Sequence, residues 1–254
     1  MRSRPLLISL VVLAMIAFAA NSLLCRAALK ATRIDPGSFT LIRLGAGALV
    51  LAVIAGFRRA ALPAAVGALI LFCAVQVSMI GYGFWAGQRL RPLQVLGLAV
   101  ALAGLIALLL PGLSAPPLDS AALMVAAGIA WGVYSLRGRR FRDPTQATAG
   151  NFLRSVPFGL GLALIMVGQV NLDPLGVVYA MVSGGITSGL GYVLWYAVLP
   201  DLAAASAAAV QLSVPVIAAL GGILFLGEAM TARLLLCGVG IIGGIALVVG
   251  GKQR

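Results

Sequence analysis

The chain has 254 residues, 62% of them hydrophobic and only 9% charged, with a mean hydropathy of +1.11. That leaves too little polar surface to cover a soluble globule of this size, so the chain belongs in a bilayer. Its net charge of +12 does not argue for nucleic acid, because the basic residues fall in short groups between apolar runs and not in a patch with stacking aromatics.

Taken in order, apolar runs long enough to span a membrane fall near 5–29, 36–57, 62–87, 92–111, 118–136, 145–170, 174–199, 203–226 and 231–250. Irregular backbone cannot face lipid, so each run is predicted to be an α-helix, and short connections make neighbours antiparallel. The first run, basic at Met1 to Pro5 and apolar from Leu6 to Ala20, has the look of a signal peptide. It is read instead as a retained helix, because Ala17-Phe18, Ser22-Leu23 and Arg26 have counterparts at Ala130-Trp131, Ser135-Leu136 and Arg139.

Those counterparts belong to a wider duplication. Ala74-Val75-Gln76-Val77-Ser78 recurs as Ala209-Val210-Gln211-Leu212-Ser213, and Gly87-Gln88 and Gly227-Glu228 each precede a Gly-rich apolar run. Asp35-Pro36 answers Asp143-Pro144, and Leu41-Ile42-Arg43 answers Phe152-Leu153-Arg154. The offset is about 110 residues up to Arg43 but about 135 to 140 from Ala74 onward, so the second half holds a span, near Leu175 to Leu199, that the first half lacks. The halves are assigned as 1–112, with four helices, and 113–254, with five.

The charges point to the same place. Basic groups at Arg2-Arg4, Arg58-Arg59, Arg89-Arg91, Arg137 to Arg142 and Lys252-Arg254 would all be cytoplasmic in a ten-span chain. Nine spans leave some of them on the wrong side, and the mismatch falls between Arg59 and Arg89.

Two repeats, an Asp-Pro after the first helix of each, an Arg in each second helix and a Pro-containing helix closing with Gly-Glu together resemble the EamA-like transporters of the drug/metabolite transporter superfamily. The second half carries the resemblance best, through Ser188 to Leu199, Ala207 to Gly222 and Phe225 to Glu228. The resemblance implies an all-α polytopic membrane protein: an inverted-repeat helical bundle of ten helices, here nine because the third is missing. It also implies cytoplasmic termini, residence in the cell's inner membrane as a multi-pass protein, and export of amino acids or other small metabolites by secondary transport. Gln88 departs from the family by standing where its first Gly-Glu places a carboxylate.

Polar side chains within spans are few, and each is a candidate contact for a small-molecule substrate. Arg43 and Arg154 can neutralise a substrate carboxylate, or snorkel to an interface. Gln76 with Ser78, and Gln211 with Ser213, put an amide and a hydroxyl in corresponding helices, where they serve either a substrate or interhelical hydrogen bonding. Pro215 is expected to break its helix and free a carbonyl. Trp131, Tyr134, Tyr192, Trp195 and Tyr196 form either aromatic walls or interfacial belts, and Asn21 is a further liner. Glycines four apart, as at Gly83 and Gly87, Gly128 and Gly132, Gly185 and Gly189, and Gly240 and Gly244, read first as close helix packing.

No histidine is present, no HExxH occurs, and all six acidic residues lie at predicted helix ends, so neither a metal site nor an intramembrane enzyme is expected. The three cysteines have no metal or redox spacing. No cofactor and no nucleic acid is expected. Membrane lipids are the surroundings, and a homodimer is left open. A transport-inactive scaffold or assembly partner is the other reading, because a helix is absent.

Overall fold

The computed structural model describes residues 3–55, 68–109, 118–138, 143–165 and 170–250. Their helices are α1 (Arg4–Ala31), α2 (Pro36–Ala55), α3 (Ala68–Trp85), α4 (Pro92–Leu109), α5 (Leu118–Gly138), α6 (Pro144–Ile165), α7 (Pro174–Val182), α8 (Gly191–Val198), α9 (Ala204–Gln211), α10 (Ser213–Leu226) and α11 (Ala232–Gly250). A π-helical segment, Ser183–Leu190, joins α7 to α8, and only Leu212 separates α9 from α10. Counted as continuous rods, these make nine helical passes among the described residues, and no strand occurs there. The rods at 4–31, 174–201, 204–226 and 232–250 are each long and apolar enough to cross a bilayer, with shorter apolar helices at 72–85 and 92–108. Large apolar side chains such as Val77, Trp85, Phe225 and Leu236 face outward, as they do in a protein solvated by lipid. The basic groups at Arg58-Arg59 and Lys252-Arg254, and most of Arg137 to Arg142, lie outside the described residues.

Two compact units are formed, one from 2–64 with 141–198 and the other from 65–140 with 199–254. Each therefore takes helices from both sequence halves. In the first unit α2 packs against α6 and the π segment, and α1 runs along α7, the π segment and α8. Glycine lets these backbones touch: a Cβ on Gly184 would overlap the Arg43 carbonyl, and one on Gly47 would meet the Phe152 ring and Gly184 O. In the second unit α4 packs along α11, α3 along α5, and α3 against α9. Gly97, Ala101 and Gly104 meet Gly244, Ile241 and Cys237 there, small residues whose value in lipid is close van der Waals approach. Gly132 sits against Ser78 in the same way, whereas Gly240 has nothing near it. The pairs α2 with α6 and α4 with α11 are counterparts in the sequence duplication, which is the pairing that a two-fold relation between repeats would produce.

Helix ends explain several sequence signals. Gly87 and Gly227 adopt positive φ, 81° and 65°, in the left-handed region that favours glycine. Gln88 N–H donates to Gly83 O at 2.8 Å, and Glu228 N–H to Gly222 O at 3.2 Å, so each Gly-Gln or Gly-Glu closes a helix. Asp143 accepts from the N–H groups of Thr145 and Gln146, capping α6, and Asp173 accepts from Leu175 and Gly176, capping α7.

Asp35 does more than cap. Its Oδ1 accepts from Ser38 N–H at 2.8 Å, while Oδ2 accepts from Asn171 N–H at 2.9 Å, and Arg33 N–H in turn reaches Asp173 at 3.5 Å. The loop before α2 is thereby tied to the loop before α7. Burial pushes the Asp35 carboxyl up, but donation from the Ser38 side chain and from the backbone of Asn171, Ser38 and Gly37 outweighs it and holds the group below its ordinary value. A carboxylate so depressed adds stability that is present above its unfolded value, near pH 4, and is lost as pH falls through the lower folded value. Asp35→Asn is expected to lower the melting temperature of the detergent-solubilised protein by several degrees at pH 7. The difference between parent and variant should shrink as the pH falls below about 4 and vanish only below the depressed folded value.

Candidate solute-binding residues

Three buried hydroxyls and one amide of the first unit gather at the π segment. Asn21 of α1 accepts through Oδ1 from Ser183 Oγ at 2.5 Å and from Ser188 Oγ at 3.1 Å. Thr187 Oγ1 donates to Ser183 O at 3.0 Å, and Ser183, Thr187 and Ser188 are all buried. A π turn widens the helix and leaves its carbonyls and hydroxyls off the regular ladder, which is why such segments concentrate at working sites. Here Gly184 gives it the room to form against α2.

Arg43 lies on the other side of this segment, only 6% exposed, and its Nε has no hydrogen-bond partner. Among the described residues, Cys25 of α1 and Tyr192 of α8 are ionisable side chains close to it, both uncharged near neutral pH. Tyr192 stacks on Phe18 with ring centroids 4.9 Å apart, and Trp195 meets the same ring at 6.1 Å. Trp195 and Tyr196 are fully buried, and Asn151 Nδ2 donates to Tyr196 Oη at 3.4 Å, so neither aromatic belongs to an interfacial belt. Thus Asn21, Arg43, Tyr192 and Trp195 share one neighbourhood. Ser183, Thr187 and Ser188 were not singled out from sequence, although the run Ser-Gly-Gly-Ile-Thr-Ser-Gly is dense enough in small polar residues to have flagged them.

Arg154, the counterpart of Arg43, behaves differently. It is the eleventh of the 22 residues of α6 and is exposed, as are Pro157 and Phe158 beyond it.

In the second unit the two repeated amide side chains point inward and their nitrogens are bonded. Gln76 is 2% exposed and Gln211 0%. Gln76 Nε2 donates to Ala208 O at 2.9 Å, and Gln211 Nε2 donates to Ala207 O at 3.1 Å and approaches Met79 Sδ at 3.5 Å. Ser78 and Ser213 bond back to their own helices, at Val75 O and Val210 O. Pro215 interrupts its helix as its missing N–H requires, with the break at Leu212, just ahead of Ser213 and not after it. Trp131 is half-buried and stacks on Phe72 at 5.6 Å, and Tyr134 is half-buried one turn further along α5. Gln94, which the sequence reading passed over, accepts from Arg91 N–H and donates to Val248 O at 3.0 Å, joining α4 to α11. No cluster of three metal-ligating side chains occurs among the described residues.

A bundle of apolar helices with discontinuous spans and a few inward polar groups defines a multi-pass membrane protein of the transporter class. The model of the EamA-like transporter family matches residues 120–250, and the chain belongs to that family. It is 49% identical to an uncharacterized protein of Pseudomonas aeruginosa, with 94% of this chain and 93% of that protein aligned. The alignment runs over 267 positions, so about 28 of them in total have no counterpart in this 254-residue chain. The chain is also 31% identical over 149 residues to the threonine/homoserine exporter RhtA of Salmonella typhimurium, covering 56% of this chain and 49% of that protein. A solved crystal structure shares the fold with a TM-score of 0.81 at 19% identity, over 97% of this chain and 98% of that one.

Proposed function

We propose that the chain is a secondary carrier of the inner membrane that exports small organic solutes bearing a carboxylate, amino acids among them, by alternating access to a site near the membrane midplane. The observation that carries this reading is the exposure of Arg154 at the midpoint of α6. At 1.5 Å per residue that position is about 15 Å from either helix end, too far for the side chain to snorkel out. A guanidinium facing lipid at that depth costs at least ~2.5 kcal/mol, so such residues face a water-filled route. A fixed cation beside such a route recognises an anionic group, and a planar guanidinium suits a carboxylate. The local likeness to a threonine/homoserine exporter supports amino acids as the solute class. The repeated helices support alternating access, because duplicated units related by a two-fold can exchange conformations.

The test is flux in proteoliposomes against a panel of labelled amino acids. Efflux of at least one carboxylate solute is expected. Arg154→Gln should reduce it about ten-fold or more with the melting temperature unchanged, since one lost charge-assisted contact of 1.5–3 kcal/mol corresponds to roughly that factor. The roughly 28 aligned positions of the Pseudomonas protein without a counterpart here favour one other reading, an assembly partner that no longer transports. Absence of flux for every solute, together with a stable membrane partner in pull-downs, would establish it.

A further inference from the structure

The packing of α3 against α9 leaves two buried acceptors with nothing to accept. Gln76 Oε1 and Gln211 Oε1 are each inaccessible and have no hydrogen-bond partner. The orientation of both amides is fixed, because their nitrogens donate to the consecutive carbonyls of Ala208 and Ala207. Both carboxamides are thus anchored on adjacent peptide units of α9. Met79 Sδ, near the Gln211 nitrogen, is a poor acceptor and takes up little of that donor's capacity.

The helix break adds a third acceptor. Leu212 N–H turns to Ala209 O at 3.0 Å, which opens Ala208 O to the Gln76 amide. Pro215, four residues beyond Gln211, has no N–H to give the Gln211 main-chain carbonyl. Gln211 therefore combines an unpaired side-chain oxygen with a main-chain carbonyl that lacks its i+4 donor. An unpaired buried acceptor is destabilising by about 1–3 kcal/mol, so a set of them in one desolvated place calls for a source of positive charge.

We propose that this site binds a dehydrated sodium ion, held by Gln76 Oε1, Gln211 Oε1 and the Gln211 carbonyl. Neutral amide and carbonyl oxygens replace the hydration shell of an alkali cation without the desolvation cost of a buried carboxylate. Unwound carbonyls at a broken span are the usual backbone ligands for such an ion in membrane carriers. Amides do not take up protons near neutral pH, so this set of groups is not a proton site. The inference concerns ion binding and stands apart from the solute reading, so its test needs no transport.

The experiment is thermal melting of the purified full-length protein in nanodiscs, titrated with NaCl, KCl or choline chloride at constant ionic strength. A saturable rise specific to sodium is expected, roughly 5 °C at a hundred-fold excess over the dissociation constant. Gln76→Leu and Gln211→Leu should abolish it. Should either Leu variant fail to fold, Gln211→Glu supplies the second measurement: a carboxylate there should lower the half-saturating sodium concentration about ten-fold, one charge-assisted ligand being worth roughly 1.4 kcal/mol. An equal rise in all three salts, or a sodium midpoint unmoved by Gln211→Glu, overturns the proposal and leaves a water bridging the two amides.

Discussion

Gly184→Ala should leave little folded protein. The π segment lies so close to α2 that a Cβ at this position would overlap the Arg43 carbonyl and stand 2.9 Å from the Arg43 Cα. Backbone cannot turn aside as a side chain can, so the cost should reach or exceed the upper part of the usual overpacking range, about 3 kcal/mol. For a chain of this size that is a fall in melting temperature of roughly 6–12 °C, with loss of monodisperse protein on size-exclusion chromatography. Gly45→Ala is the control, because nothing lies within 4 Å of its Cβ position and it is exposed on the same helix. There the helix propensity of alanine should add up to about 1 kcal/mol of stability. If Gly184→Ala melts with the parent, the contact between α2 and the π segment is not as drawn here.

Arg43→Met should move stability and activity in opposite directions. Arg43 is buried, its Nε is without a partner, and Cys25 and Tyr192, ionisable side chains close to it, are uncharged near neutral pH. Keeping a guanidinium there costs desolvation free energy that its neighbours do not return, and an apolar side chain of similar length typically recovers 1–4 kcal/mol. The melting temperature should therefore rise by several degrees. Flux of carboxylate solutes should fall about ten-fold or more, because a cation buried on the helix that packs against the π segment is retained against its own cost, as functional groups in membranes usually are. A lower melting temperature in Arg43→Met would show that the guanidinium holds the first unit together and is not kept for solute.

Arg43 and Arg154 together separate the two levels of information in this chain. Both follow Leu or Ile one residue back, both stand about a third to a half of the way along a helix that begins with Asp-Pro, and sequence treats them alike. Burial distinguishes them, and burial depends on what comes to lie against the helix. The π segment packs against α2 at Arg43, whereas Arg154 stays open. The span at 174–201 that supplies the cover has no counterpart in the first half, so the duplication cannot treat its two arginines equally.

The amides show the same division. The repeated Ala-Val-Gln motif was legible, as were two candidate uses for it, solute contact or interhelical bonding. Only the packing of α3 on α9 showed both nitrogens bonded to Ala207 and Ala208 while both oxygens were left unpaired. Likewise Ser78 and Ser213 had the composition of ligands, yet each hydroxyl bonds its own helix.

The sequence by itself determined the membrane setting, the nine apolar passes, and the Asp-Pro and Gly-Glu signals at helix ends. These depend on run length, local hydrogen bonding and backbone conformation, which neighbouring residues in the chain control. Tertiary structure alone decided the π segment at Ser183–Leu190, the burial of Arg43 against the exposure of Arg154, and the unpaired oxygens of Gln76 and Gln211. Each of these depends on which helix packs against which, and in lipid that choice is made by close backbone approach at a few glycines and not by the hydropathy that every helix shares.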